Sequence, residues 1–261
     1  MTAYFRAIWQ CRYFWISLVK MDLRTRYRRS VLGIGWSLLN PIAMTAIFCV
    51  VFSKVLGGGD IGGYGAYLLA GLSCWQFLTG VCLQGCQSFY RGESYIRQYP
   101  APLAIYPLRI VLGCMIHFLL ALVVVLVLIW GVRGFGNLRS IWMLAPSLTV
   151  LFAFGWSLAL LAGFTTVHFH DTPHLMEIVF QILFYATPIM YMPSMLREHG
   201  LEWLVRYNPV LPFLDLIRDP ILYDHVPSLR TLGSAGVITF GAAIAAGFVL
   251  NRLGKRLIFH L

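Results

Sequence analysis

The 261-residue sequence predicts an all-α polytopic membrane protein with six transmembrane helices. Three observations carry that expectation. The chain is 59% hydrophobic and only 11% charged, too apolar for one soluble core. Six stretches, roughly 34–56, 65–88, 109–132, 141–167, 175–192 and 233–251, meet or approach the ~20 helical residues that cross a bilayer. Lys20, Arg24, Arg26, Arg28 and Arg29 crowd against the first of them, while 30–53 carries no formal charge. The chain must therefore change solvent at about residue 30, because Lys or Arg at the centre of a membrane helix costs roughly 2.5–3.5 kcal/mol on insertion scales.

Residues 1–30 read as an amphipathic helix lying on the membrane. At 100° per residue Phe5, Ile8, Trp9, Trp15, Ile16, Val19, Leu23 and Tyr27 share one side; Arg6, Lys20, Arg24 and Arg28 share another. Arg12 and Arg26 fall on the apolar side. The arginines admit two uses: snorkelling to lipid headgroups as an anchor, or holding the phosphates of a lipid-linked substrate through bidentate forks. No short apolar run with a small-residue cleavage site lies near residue 20, so this basic end is expected to be retained.

Orientation follows from the basic residues. Seven lie in the N-terminal arm, three in the second loop and three near the C-terminus, against seven on the opposite side. Both termini are therefore expected in the cytoplasm. The formal charge of +10 points to anionic lipid and not to nucleic acid, since no soluble basic domain exists to read a groove. Six cysteines, mostly inside apolar runs, read as small packing residues.

Two connections stand out. The second loop, SFYRGESYIRQYPAPLAIYPL at 88–108, offers a turn or two of helix over Glu93–Gln98 before Pro100, Pro102 and Pro107 break it. Such a stiff cytoplasmic loop suits an interlocking element. The fifth connection, 193–232, is too apolar for a solvated loop and is cut at Pro209, Pro212 and Pro220, which favours short re-entrant helices in the outer leaflet, either gating an exit or packing over the bundle.

Four stretches carry a family resemblance: RYRRSVLGIGWSLLNP at 26–41, IRQYPAPLAIYPL at 96–108, FHDTPHLMEIVFQILFYATPIMY at 169–191 and YNPVLPFLDLIRDPIL at 207–222. In register over nearly the whole chain, they resemble the membrane permease subunit of polysaccharide-exporting ABC transporters, the Wzm, KpsM and TagG group of type-2 permeases. The resemblance implies a single transmembrane domain over 1–261: an interface helix at 1–30, helices one to five over 34–192, a coupling helix at about 92–99, gate helices over 193–232, and helix six with its tail over 233–261. It also implies a homodimer in the bacterial inner membrane, served by two copies of a separate ATP-binding subunit and moving a lipid-linked O-antigen, capsule or teichoic-acid-like polymer. Two departures stand out: Ala101-Pro102-Leu103-Ala104 replaces a Phe-Pro followed by charges, and His170-Asp171 replaces an Arg-Asp pair.

On that resemblance Arg24, Arg26, Arg28 and Arg29 are the candidates for the substrate phosphate. Glu93, Ser94, Tyr95, Ile96 and Arg97 are those for contact with the ATPase. The chain has no G-x-x-x-x-G-K-[ST] sequence, so ATP and Mg are expected on the partner and no cofactor on this chain. With 18 Phe, 13 Tyr and 8 Trp, aromatic faces are available for a sliding sugar chain. Phe48, Phe52, Phe184 and Tyr185 are the candidate liners, the other reading being that they face lipid or a neighbouring helix.

Against catalysis or a metal, His168, His170, Asp171 and His174 sit in a proline-containing turn and not on one helix face; catalytic and metal residues are read as none. His117 reads as a packing histidine. The remaining readings are a type-2 permease for a drug, peptide or other lipid, a membrane-embedded acyl- or glycosyltransferase, and a structural scaffold.

Overall fold

The computed structural model describes residues 2–55, 61–99, 101–134, 139–254 and 257, helical throughout apart from turns. Pro100, Lys255 and Arg256 lie outside the described residues, as does the side chain of Phe52. Two short helices open the chain, α1 (Thr2–Gln10) and α2 (Arg12–Arg26). After a single 3-10 turn over Gly33–Gly35 come α3 (Trp36–Val55) and α4 (Ile61–Cys86). A six-residue α5 (Glu93–Gln98) precedes the long α6 (Ile105–Arg133) and α7 (Leu144–His168). Then follow α8 (Thr172–Ala186), the short α9 (Pro193–Glu198) and α10 (Glu202–Arg206), α11 (Leu211–Leu222) and α12 (Leu229–Leu253).

Among the described residues, five helices are long and apolar enough to cross a membrane: Gly33–Val51, Gly62–Cys86, Ile105–Gly131, Ser140–His168 and Leu229–Leu253. They correspond to the first, second, third, fourth and sixth expected stretches. The fifth, 175–192, is helical only as far as Ala186. Its 15 residues span about 22 Å at 1.5 Å per residue, short of a ~30 Å core. Pro188 explains the stop. It forces Thr187 out of the helical region, to φ −101° and ψ 134°.

The central helix is α4. Its apolar window is 78% buried, against 11% for those of α3 and α12, which leave their faces free for lipid or another chain. Around α4 pack α6, α7 and α11, in a core that includes Leu69, Phe77, Val111, Leu151, Phe213 and Ile217. The approach of α4 to α7 is close enough to require a bare residue: a Cβ on Gly85 would lie 2.7 Å from the Cα of Ala159. Small residues drive such crossings in membranes, where backbones gain dispersion contact and the hydrophobic effect between helices is weak.

The interface arm departs from the single helix expected over 1–30. It breaks at Cys11, and α1 and α2 expose different faces. Ile8 is buried in α1; Leu18 and Val19 are buried in α2. The break resets the helical phase, so Phe5 and Trp9 are exposed although they share the apolar side of an unbroken helix, while Leu18, absent from that side, is buried. Pro220 also differs from expectation. It lies within α11, which runs on to Leu222, so the proline costs one helical hydrogen bond without ending the helix.

A second, smaller core gathers one end of the bundle. Ile8 and Leu18 of the arm, Ile96 of α5, Ala104 to Tyr106, Phe164 and Val167 of α7, and Leu257 all pack together there. The arm, the second loop, the end of α7 and the C-terminal turn therefore share one end of the molecule. At the other end, the backbone amide of Ser140 donates to Asp224 Oδ1 at 2.7 Å and its hydroxyl to Asp224 O at 2.9 Å, joining the start of the α7 span to the chain after α11. All six cysteines are free thiols.

Candidate functional site

At the arm end, the second loop is held from both sides. The amide of Ala104 donates to the Tyr4 hydroxyl at 3.2 Å, and the Ala104 carbonyl accepts from Trp156 Nε1 at 3.1 Å. Burial pushes the Tyr4 phenol above its ordinary value, so it stays neutral in this role. The Ala101-Pro102-Leu103-Ala104 segment is thus held through the backbone of Ala104, a contact that does not depend on its side chains.

Helix α5 rests on α2. Phe14 meets Tyr95 at a ring separation of 5.8 Å and Tyr99 at 5.9 Å. Ile96 is buried and seats the helix. Ser94 and Arg97 are exposed, with Glu93 and Tyr95 half-buried. Glu93 and Arg97 pair at 2.9 Å, one helical turn apart on the surface. Just before α5, a Cβ on Gly92 would strike the Tyr106 ring at 2.5 Å, so only glycine lets the turn sit this low.

The four arginines of the phosphate hypothesis cluster where α2 gives out. Arg24 and Arg26 end the helix, and Arg28 and Arg29 follow in the turn; all four are exposed. Arg29 adopts a left-handed φ of 66°, which turns the chain towards α3. The same helix is pinned to the bundle by Asp22, whose Oδ2 lies 3.5 Å from Nε of Arg109. Arg109 is only 2% exposed.

Beside this cluster opens a cavity of about 340 Å³ between α2, α3, α4 and α6. Arg26 and Tyr27 stand at it from the arm, Asn40 from α3, Gln76 and Gln84 from α4, and His117 from α6. Tyr27 Oη and His117 Nε2 are 3.3 Å apart, and the rings meet edge to face. His117, expected to be a satisfied packing residue, has no partner for Nδ1 among the described residues. Of this group only Arg26 was a candidate from sequence. The others are single polar residues in apolar runs; on α4 only their common helical face, from Ser73 through Gln76 and Gly80 to Gln84, signals a site.

The aromatic candidates separate. Phe184 is half-buried against Trp75, with ring centroids 5.5 Å apart, and Tyr185 is 65% exposed. Tyr185 continues a stripe of exposed apolar residues on α8, through Leu175, Ile178 and Ile182. Phe48 is partly buried against the core.

At the opposite end lies a polar assembly that the sequence did not single out. The chain leaving α8 at Thr187 runs non-helical inside the bundle, and the side chains of Arg218, Tyr67, Tyr64 and Asn208 fasten it, Tyr67 donating to Pro188 O at 3.0 Å and Tyr191 O at 3.1 Å. Arg218, 2% exposed on α11, donates through Nη1 to Pro188 O at 2.9 Å and through Nη2 to Ile189 O at 3.0 Å. Its Nη1 also reaches the Tyr67 hydroxyl at 3.0 Å, and its guanidinium stands 3.7 Å from the Tyr67 ring centroid. A Cβ on Gly71 would fall on that guanidinium, so the glycine makes its room. Tyr64 donates to Met190 O at 2.6 Å. Asn208 donates to Thr187 Oγ1 at 2.9 Å and accepts from the amides of Val210 and Leu211 entering α11. From sequence Arg218 counts only as a charge in a loop; its partners are carbonyls, which no side-chain pattern reveals.

In the turn after α7 the histidines make local contacts. His168 Nδ1 lies 2.9 Å from Phe164 O, and His174 lies 3.7 Å from Glu177 on the surface. No three of His, Cys, Asp or Glu among the described residues are placed to share a metal ion.

Comparison with known proteins agrees with this architecture. The family described as ABC-2 type transporter matches residues 13–222. The chain is similar to an O-antigen export system permease protein, RfbA, of Klebsiella pneumoniae, at 28% identity over 228 residues, covering 84% of this chain and 85% of that protein. A second Klebsiella pneumoniae protein of that name is 28% identical over 230 residues, with the same coverage. One from Myxococcus xanthus is 25% identical over 245 residues, covering 91% and 92%.

Proposed function

The chain belongs to the ABC-2 type transporter family, and we propose that its place there is the permease subunit of an ABC exporter for polysaccharide. The observation that carries this reading is the match, over 85% or more of their length, to relatives each named as an O-antigen export permease. The five apolar spans supply a multi-pass membrane body. ATP and Mg are held by a separate subunit, two copies of which serve a homodimer of this chain.

The finer reading assigns the cargo as a lipid-linked glycan crossing the bacterial inner membrane. Six passes place both termini in the cytoplasm, with α8 and the fastened chain of 187–192 together making the fifth. The gathering of the arm, the second loop and the C-terminal turn at one end supports that topology. There the exposed Arg24, Arg26, Arg28 and Arg29 meet substrate phosphate from the inner leaflet. Ser94 and Arg97, with Glu93 and Tyr95 beside them and Ile96 as the seat, face the ATP-binding subunit. ATP-driven movement of α5 passes to α2 through the Phe14 contacts and to α6 and α7 through Ala104. The glycan advances past Phe48, Phe52, Phe184 and Tyr185, whose ring faces meet the C–H faces of sugars in contacts that exchange easily. Helices α9 to α11 form the outer-leaflet gate.

The test is a cell lacking this chain. Lipid-linked polymer accumulates inside, surface polymer disappears, and the wild-type chain restores it. Normal surface polymer without the chain overturns the reading. The purified permease alone hydrolyses no ATP, and robust hydrolysis without a partner contradicts the two-subunit division.

A further inference from the structure

The cavity between α2, α3, α4 and α6 has a chemistry that phosphate capture alone does not require. A bilayer-spanning helix keeps polar side chains only where something satisfies them, because an unmet donor or acceptor in hydrocarbon costs several kcal/mol. Yet α4 presents Ser73, Gln76 and Gln84 along one face, at intervals of three and eight residues, a polar track of roughly 16 Å at 1.5 Å per residue. Ser73 is 3% exposed and its hydroxyl has no partner among the described residues. Across the cavity the Nδ1 of His117 is equally unmet. Gln84 meets only the Sγ of Cys114, at 3.7 Å, a weak acceptor. Asn40 adds a third amide, from the arm end of α3.

The rest of the lining narrows the ligand class. Trp36, Phe77 and Phe118 bring aromatic surface, and Arg26 is the one cation in a lining that holds no carboxylate. Neutral amides and hydroxyls interleaved with aromatic rings match a ring of equatorial hydroxyls with apolar C–H faces. One guanidinium at the mouth matches one phosphate group. A carboxylate-free wall does not suit a metal or an amine, and an amide track does not suit an acyl chain. The volume of about 340 Å³ is near the lower end of the ~300–1,000 Å³ of small-molecule pockets, so it takes a monosaccharide and not a polymer.

We propose that this cavity is a headgroup-sugar pocket: it receives the single sugar next to the lipid phosphate, with that phosphate beside Arg26 and the ring hydroxyls on Gln76, Gln84, Ser73 and His117. The proposal rests on the reading of the chain as a polysaccharide permease and deepens it. The exporter then recognises the end of its cargo by the linkage sugar, while the polymer beyond passes without sequence reading.

The experiment uses the permease assembled with its ATP-binding subunit in phosphatidylethanolamine–phosphatidylglycerol nanodiscs. The probes are farnesyl diphosphate and its N-acetylglucosamine, glucose and galactose derivatives. With several hydrogen bonds at about 0.5–1.5 kcal/mol each, at least one sugar-bearing probe is expected to bind about tenfold or more tightly than farnesyl diphosphate. Gln76→Leu, close in volume, abolishes that advantage and leaves farnesyl diphosphate binding unchanged; Ser73→Ala reduces the advantage in part. Assembly with the ATP-binding subunit verifies that each variant is folded. Equal binding of all probes to the wild type overturns the sugar pocket and leaves phosphate capture standing, as does a Gln76→Leu variant that weakens every probe alike. Binding of no probe by the assembled complex overturns both.

Discussion

Arg218 is expected to hold the broken end of α8 in place, and Arg218→Met isolates that role by keeping bulk while removing the fork. Three short hydrogen bonds are lost, to Pro188 O, Ile189 O and the Tyr67 hydroxyl, together with the contact over the Tyr67 ring. Bonds to a charged donor are worth about 1.5–3 kcal/mol each, but the desolvation of a 2% exposed guanidinium opposes them. The buried Ile189 carbonyl loses its donor and costs about 1–3 kcal/mol unmet, whereas the Pro188 carbonyl keeps the Tyr67 hydroxyl at 3.0 Å. The net loss is therefore about 1–3 kcal/mol, most of it the unmet Ile189 carbonyl. That corresponds to a local opening equilibrium shifted roughly 5- to 150-fold. Hydrogen exchange reads it directly at the amide of Ile189, which in the closed state donates to Thr187 O at 2.7 Å. Arg218→Lys, with a point charge and no planar fork, falls between. Arg206→Met, on an exposed arginine of α10, changes exchange little. Unchanged exchange at Ile189 in Arg218→Met refutes the fastening role.

Three further outcomes are expected. Arg24→Ala combined with Arg28→Ala lowers surface polymer while membrane insertion, read by protease protection, stays intact; normal surface polymer removes these arginines from phosphate capture. Gly85→Ala costs about 1–3 kcal/mol or more through overpacking, because the clash at 2.7 Å is with the Ala159 backbone; thermal unfolding in detergent shows the loss, and Gly113→Ala, with open space around it, shows none. Asp22→Asn removes the carboxylate facing buried Arg109 and loosens α2, at about 1–2 kcal/mol since Asp22 is itself 39% exposed, with hydrogen exchange across 12–26 rising about tenfold.

How much was legible in the sequence depends on the kind of signal. Five apolar runs announce themselves by length, since each must fill the bilayer with its own residues. The helix over Glu93–Gln98 was legible too, because prolines mark its end. The break of α8 was written in Pro188 but masked by continuing hydrophobicity through Met192. The break at Cys11 has no sequence mark at all. A one-residue interruption there changed which aromatics face inward.

The polar sites escaped for a common physical reason. In a soluble chain, functional groups advertise themselves as clusters, but a membrane helix carries only as many polar residues as its neighbours can satisfy. Each helix therefore shows only a few, and the cluster is completed across helices. Gln76 and Gln84 gain meaning from His117 on another helix, and Arg218 gains it from the carbonyls of a third segment. The two assemblies take successive stretches of α4: the cavity faces its residues from 73 onward, and the Arg218 fastening takes Tyr67 and Gly71. The two assemblies share that helix, the most buried span among the described residues. Exchange at Ile189 in the presence and absence of a glycosyl diphosphate therefore reports whether loading and the far end communicate.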